Sequence, residues 1–94
     1  MSENLISARK HAQFVMASAD ALEEAVSAAE QFPEWNSAHE GFGILLEEGK
    51  ELFEHVCTNQ KKRDLVAMRK EAIQVAACAI RFAAEVCSEE RGRR

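Results

Sequence analysis

The sequence is poor in the residues that break helices or favour other folds: 94 residues include one proline, four glycines, one tryptophan and no tyrosine. Hydrophobic residues make up 47% of the chain and charged residues 30%, a balance that excludes intrinsic disorder. No apolar run reaches the roughly 18 residues that a membrane-spanning helix needs, and the polar N-terminus has no secretory signal pattern. The sequence therefore predicts an ordered, mostly helical chain that does not enter a membrane.

The chain also lacks a paired cysteine framework and a net positive charge. Cys57, Cys78 and Cys87 are odd in number and have no C-x-x-C spacing, so we interpret them as free thiols in a reducing compartment, which predicts a cytoplasmic protein. The net charge of −4 opposes a primary role in binding a nucleic-acid polymer, which requires a basic face. The sequence has no glycine-rich phosphate loop, no internal repeat and no histidine or cysteine spacing typical of a metal site.

Apolar periodicity predicts an all-α fold, a bundle of about three helices within one domain spanning 1–94. We expect helices at 2–31, 37–57 and 64–87, followed by a flexible tail at 88–94.

Local signals mark the ends of these helices. Pro33 breaks the first helix, because proline cannot continue a helix interior. Ser37 and Glu40 form the pattern of a capping box at the start of the second helix, and Asp64 is suited to cap the third.

The 64–87 segment predicts that the bundle is completed by oligomerisation into a homodimer or homotetramer. It is apolar nearly all round, so three helices of one chain can scarcely cover it. The first helix carries a heptad stripe that we interpret as a structural packing face, which would lean against larger residues of a partner helix. The stripe consists of Leu5, Ala8, Ala12, Val15, Ala19, Leu22, Val26 and Ala29.

The acidic residues carry the chemistry. On a helix, Glu71 falls in the middle of an apolar surface, where an ionised carboxylate requires a partner. Glu48 and Glu51 lie one turn apart on the preceding helix, and their like charges repel unless a cation compensates. If Glu71 points at that pair, a divalent metal is its natural partner, and oxygen ligands suit Mg²⁺ or Mn²⁺. The other acids of this helix, Glu40, Glu47 and Glu54, lie opposite its apolar stripe and are better explained as solvated surface groups.

Two segments then resemble a known family. NSAHEGFGILLEEGKEL at 36–52 and RKEAIQVAA at 69–77 resemble the MazG-like branch of the all-α nucleoside triphosphate pyrophosphohydrolases. That family carries E-x-x-E on one helix and E-x-x-D on the next, and binds Mg²⁺ to cleave nucleoside triphosphates to monophosphates and pyrophosphate. The resemblance implies that Glu48, Glu51 and Glu71 are metal ligands and that Gln74 replaces the family's aspartate with a neutral amide.

The resemblance also implies roles in substrate handling. Glu47 or Glu48 would orient the attacking water as general base, and basic residues including Lys50, Lys61 and Arg69 would contact phosphates. Trp35 would stack on a base or pack in the core, and His39 would touch a ligand or serve in capping and packing.

Three functions remain open from the sequence. One is a Mg²⁺-dependent nucleotide pyrophosphohydrolase acting in nucleotide-pool housekeeping. Another is a weak or inactive MazG-like oligomer that binds nucleotide or metal without turnover. The last is a plain helical interaction module whose acids are only solvated.

Overall fold

The computed structural model describes residues 3–92, so the predictions that fall on 1–2 and 93–94 lie outside the described residues. Within this range the chain is all-helical and contains three α-helices: α1 (Glu3–Gln31), α2 (Ala38–Cys57) and α3 (Leu65–Arg81). A 3-10 turn (Gln60–Lys62) precedes α3, a π-helical turn (Phe82–Val86) extends it, and a second 3-10 turn follows (Glu89–Arg91). The all-α expectation is confirmed.

The ends of the helices form as their sequence signals indicate. The Glu40 amide donates to Ser37 Oγ at 3.1 Å, and the Ala67 amide donates to Asp64 Oδ1 at 3.1 Å, so both expected caps are present. The reciprocal half of the capping box differs, because Glu40 Oε2 accepts from the Asn36 side chain at 3.0 Å instead of from the Ser37 amide.

Helix α3 lies at the centre of the fold and packs against both α1 and α2. The buried core is small and half of it is alanine, with Ala21 and Ala25 on α1 and Ala77 and Cys78 on α3. Trp35, in the loop between α1 and α2, is its largest apolar member.

Within the chain, α1 packs by a different face from the predicted heptad stripe. The face against α3 is the alanine face at Ala21 and Ala25, because small side chains allow two helix backbones to approach closely. All eight members of the stripe are exposed, and the helix is exposed at every position from 4 to 16. The larger apolar side chains of this stripe, such as Val15, Leu22 and Val26, are therefore about half exposed and lie outside the buried core.

Part of the segment expected to be a flexible tail is instead anchored by Arg91. Its guanidinium donates to the Trp35 carbonyl at 2.7 Å and to the Glu85 carbonyl at 2.6 Å, and it pairs with Glu34 at 2.9 Å. These contacts join the 3-10 turn at 89–91 to the loop between α1 and α2.

Candidate metal centre and adjoining cleft

Three carboxylates converge where α2 and α3 pack side by side. Glu48 and Glu51 project from successive turns of α2, and Glu71 meets them from α3. Each offers one oxygen that lies within 4.8 Å of the other two. Glu48 and Glu71 are half-buried and Glu51 is exposed. The structure thus assembles the oxygen-only cluster expected from the sequence.

One buried oxygen atom of this cluster has no hydrogen-bond partner among the described residues. Glu71 Oε2 is buried and accepts no hydrogen bond from any described residue. Leaving a buried polar atom without a partner costs about 1–3 kcal/mol, and more when it is charged. A cation among the three carboxylates would satisfy this oxygen and relieve the repulsion between the groups, so the residues present fit a divalent metal.

The neighbouring carboxylates and burial change the pKa of Glu48. Burial raises its pKa above the ordinary value, and the charges of Glu51 and Glu71 raise it further. Because the pKa is raised on folding, the stability that this group contributes is fully present at low pH and is lost as pH rises through its folded pKa. Without a cation, the ionised cluster therefore works against the fold.

A cleft of about 340 Å³ adjoins the cluster. Glu48 lines it and so belongs to both the cleft and the metal centre, and Gln74, one turn after Glu71, lines it as well. The remaining lining residues are Glu24, Ala28, Phe32, Pro33, Trp35, Glu40, Ile44, Ala77, Cys78 and Arg81. Burial and the charges of Glu48 and Glu24 raise the pKa of the Cys78 thiol, although the charge of Arg81 opposes them.

The back of the cleft is a buried ion pair. Arg81 and Glu85 lie one helical turn apart, are 7% and 9% exposed, and form two hydrogen bonds through the Nε and Nη2 atoms of the arginine. The Arg81 guanidinium also covers the Trp35 ring, 4.5 Å from its centroid, and donates to the Pro33 carbonyl at 3.3 Å. Sequence reasoning missed this network, although the i, i+4 spacing of opposite charges in an apolar helix was its signal.

Glu85 is held ionised by that network. Burial alone would raise its pKa, but hydrogen bonds from Arg81 and from the Trp35 amide, with the charges of Arg81 and Arg91, outweigh burial and lower the pKa. Glu85 therefore favours folding above the ordinary carboxyl pKa, and this contribution is lost as pH falls through the lowered value.

The structure places two predicted substrate contacts near the cleft. Trp35 is 4% exposed and packs in the core, with Arg81 over its ring and Gly41 beside it, so its ring is not open for stacking on a base. His39 is exposed and lines a shallow groove with Phe42, outside the cleft.

The other predicted contacts lie elsewhere. Glu47 and Lys50 line a groove on the outer face of α2, and neither belongs to the carboxylate cluster. Lys61 is exposed in the 3-10 turn. Arg69 forms an exposed ion pair with Asp20 at 2.8 Å. The structure therefore brings together the acidic part of the predicted site and separates it from these four residues.

Comparison with known proteins gives no match to any family model, curated protein or solved structure. Within residues 3–92, no helix has both the length and the hydropathy to cross a bilayer.

Proposed function

We propose that this protein is a hydrolase of phosphoric anhydrides that works with a divalent metal. Within that class we propose a Mg²⁺-dependent (Mn²⁺ substituting) nucleoside triphosphate pyrophosphohydrolase that releases the monophosphate and pyrophosphate. The observation that carries the proposal is the convergence of Glu48, Glu51 and Glu71 with one buried oxygen left unpartnered. The nucleotide substrate rests on the resemblance at 36–52 and 69–77.

Each residue has a distinct task in this proposal. Glu51 and Glu71 hold the metal, and Gln74 supplies at most a neutral amide oxygen, which weakens metal affinity relative to an aspartate. When bound, Mg²⁺ neutralises phosphate oxygens and makes a nearby water more acidic. Glu48 faces both the cluster and the cleft, and its raised pKa makes it the best-placed acceptor for the proton of the attacking water. Glu47 lies on another face and is not needed as a base.

The assay that tests the proposal measures pyrophosphate release from a panel of nucleoside triphosphates with and without Mg²⁺. We expect Mg²⁺-dependent release that is lost in Glu51→Gln and retained in Glu54→Gln, an exposed acid on the same helix. Mg²⁺ and nucleotide binding without release would favour the inactive-binder alternative. The absence of both, measured by calorimetry with non-hydrolysable nucleotides, would leave only the helical interaction module.

We further propose that the working form is a homodimer or homotetramer. The chain exposes 7329 Å², whereas a folded monomer of 10.5 kDa is expected to expose about 5,400 Å². The excess of about 1,900 Å² exceeds the roughly 800 Å² per partner of a standard interface. The exposed α1 stripe is an apolar surface suited to a second copy.

Light scattering and sedimentation at micromolar concentration test the assembly. We expect an oligomer that Val26→Glu on the stripe dissociates, because a charge placed in an apolar interface is left desolvated, while Glu30→Gln on the same helix leaves it intact. A folded wild-type monomer would contradict the proposal. We also propose a cytoplasmic location, consistent with the free thiols of Cys57, Cys78 and Cys87.

A further inference from the structure

The cleft beside the carboxylate cluster is rich in hydrogen-bond acceptors. Three carboxylates line it, from Glu24, Glu40 and Glu48, and its one basic group is Arg81. Two of the three nitrogens of Arg81 are committed elsewhere, since Nε and Nη2 donate to Glu85 and to the Pro33 carbonyl. A ligand in this cleft is therefore met mainly by groups that accept hydrogen bonds.

The size of the cleft determines which part of a nucleotide enters it. A volume of about 340 Å³ is at the small end for ligand pockets, which span about 300–1,000 Å³. Ala28, Ile44 and Ala77 provide apolar lining suited to a planar ring. Because Glu48 connects the cleft to the metal centre, a base in the cleft leaves its phosphates directed toward that centre.

We propose that the cleft selects nucleotides whose base carries an amino group beside an unprotonated ring nitrogen, as at C4 of cytosine or C6 of adenine, over uracil, thymine and hypoxanthine, which carry an oxo group beside a ring N–H there. The proposal rests on the nucleotide function above and extends it to substrate class. The groups that discriminate are the Glu24 carboxylate and the Gln74 amide, which both line the cleft and are half-buried.

Glu24 is the acceptor available to a ligand. Glu40 already accepts from Asn36 through Oε2, whereas the Glu24 carboxylate accepts no hydrogen bond in the part of the chain that the structure describes. An amino group of the base would donate to Glu24, and the Gln74 amide N–H would donate to the adjacent ring nitrogen.

An oxo base reverses this pattern. Its carbonyl oxygen would face the Glu24 carboxylate, two acceptors with no proton between them, and its ring N–H would meet the donor end of Gln74 unless the amide turned over. Sites that pair with a substrate donor reject analogues lacking it strongly, because the site's polar groups are left unpaired. Since Glu24 is only half-buried, we expect a preference of roughly 10- to 100-fold in kcat/KM rather than the larger factors of closed sites.

The test compares substrates that differ only at this group: dCTP against dUTP, and dATP against dITP. We expect the wild type to prefer the amino member of each pair at least tenfold. Glu24→Gln adds a donor in the same shape and should bring both ratios toward one, whereas Glu24→Asp, which keeps the charge but shortens the reach, should give intermediate ratios. The matched control is Glu23→Gln, since Glu23 is exposed and lines the neighbouring groove but not the cleft.

The outcomes separate this inference from the proposed function. Equal kcat/KM within each pair, unchanged by Glu24→Gln, would overturn the base preference and leave the hydrolase standing. If no nucleotide is cleaved and Mg²⁺ does not bind, the hydrolase fails, and calorimetry with dCMP and dUMP then tests the cleft alone. Tighter dCMP binding that Glu24→Gln abolishes would support the base preference, and equal or absent binding would overturn it.

Discussion

Replacing Glu71 with glutamine removes one charge from the carboxylate cluster while preserving its shape. Two unit charges 4.8 Å apart, the largest separation in the cluster, repel by about 3.5 kcal/mol at an effective dielectric constant of 20 and about 0.9 kcal/mol in bulk water. Because Glu51 is exposed and the other two groups are half-buried, the lower limit is the better guide. Glu71 takes part in two such repulsions, with Glu48 and with Glu51, so we expect Glu71→Gln to stabilise the metal-free protein by about 1.7 kcal/mol, which raises Tm by about 4–8 °C per kcal/mol for a domain of this size.

The same substitution should abolish stabilisation by Mg²⁺. Ligand at 100 times its Kd stabilises the native state by about 2.7 kcal/mol, so thermal unfolding across a Mg²⁺ titration reports both effects in one experiment. The Tm of the wild type should rise with Mg²⁺ concentration, and the Tm of Glu54→Gln should rise in the same way. The Tm of Glu71→Gln should be higher than that of the wild type without Mg²⁺ and should not change when Mg²⁺ is added. A Glu71→Gln protein that keeps the wild-type Mg²⁺ affinity would refute the metal site.

Three further substitutions probe the surrounding structure. Glu85→Ala leaves Arg81 buried without its partner, and urea denaturation should show a loss of about 3–5 kcal/mol in the free energy of unfolding. Because the pKa of Glu85 is lowered, this difference between wild type and variant should shrink as pH drops below the ordinary carboxyl range. A variant that loses stability at acid pH as steeply as the wild type would contradict this. Gly41→Ala would place a methyl group 2.7 Å from Trp35 Cε3, so we expect a loss of about 1–3 kcal/mol in the same assay, and an unchanged midpoint would disprove this close packing. Gln74→Asp should tighten Mg²⁺ binding in calorimetry, because it adds a negative charge one helical turn from Glu71. Unaltered affinity would leave Gln74 with the role in contacting the base inferred above, or with a structural role.

The helices and their caps could be predicted because their causes are local. Ser37 and Asp64 act on amides three residues away, so the sequence alone reveals them. Glu71 could also be recognised, since its position in an apolar surface shows on one helix without knowledge of its neighbours.

Contacts between distant segments of the chain could not be predicted from the sequence. The heptad pattern on α1 indicates an apolar stripe, but the choice between that stripe and the adjacent alanine face depends on how closely α3 approaches. The pairing of Trp35 with Glu85 joins residues 50 positions apart, and the docking of Arg91 on Trp35 joins residues 56 apart. No periodicity encodes such distances, which is why the sequence did not reveal that Glu85 binds the Trp35 amide or that Arg91, expected in a flexible tail, binds the Trp35 carbonyl.

The ion pair behind the cleft divides the lining residues into two groups with different freedom to change during evolution. Arg81 supports the loop between α1 and α2 through Pro33 and Trp35 and neutralises Glu85, so almost any replacement there costs the fold. Glu24 makes no comparable hydrogen bond or ion pair with the described residues, so replacing it should leave the core intact. New ligand preferences can therefore arise at Glu24 by single substitutions that the fold tolerates, while Arg81 stays fixed.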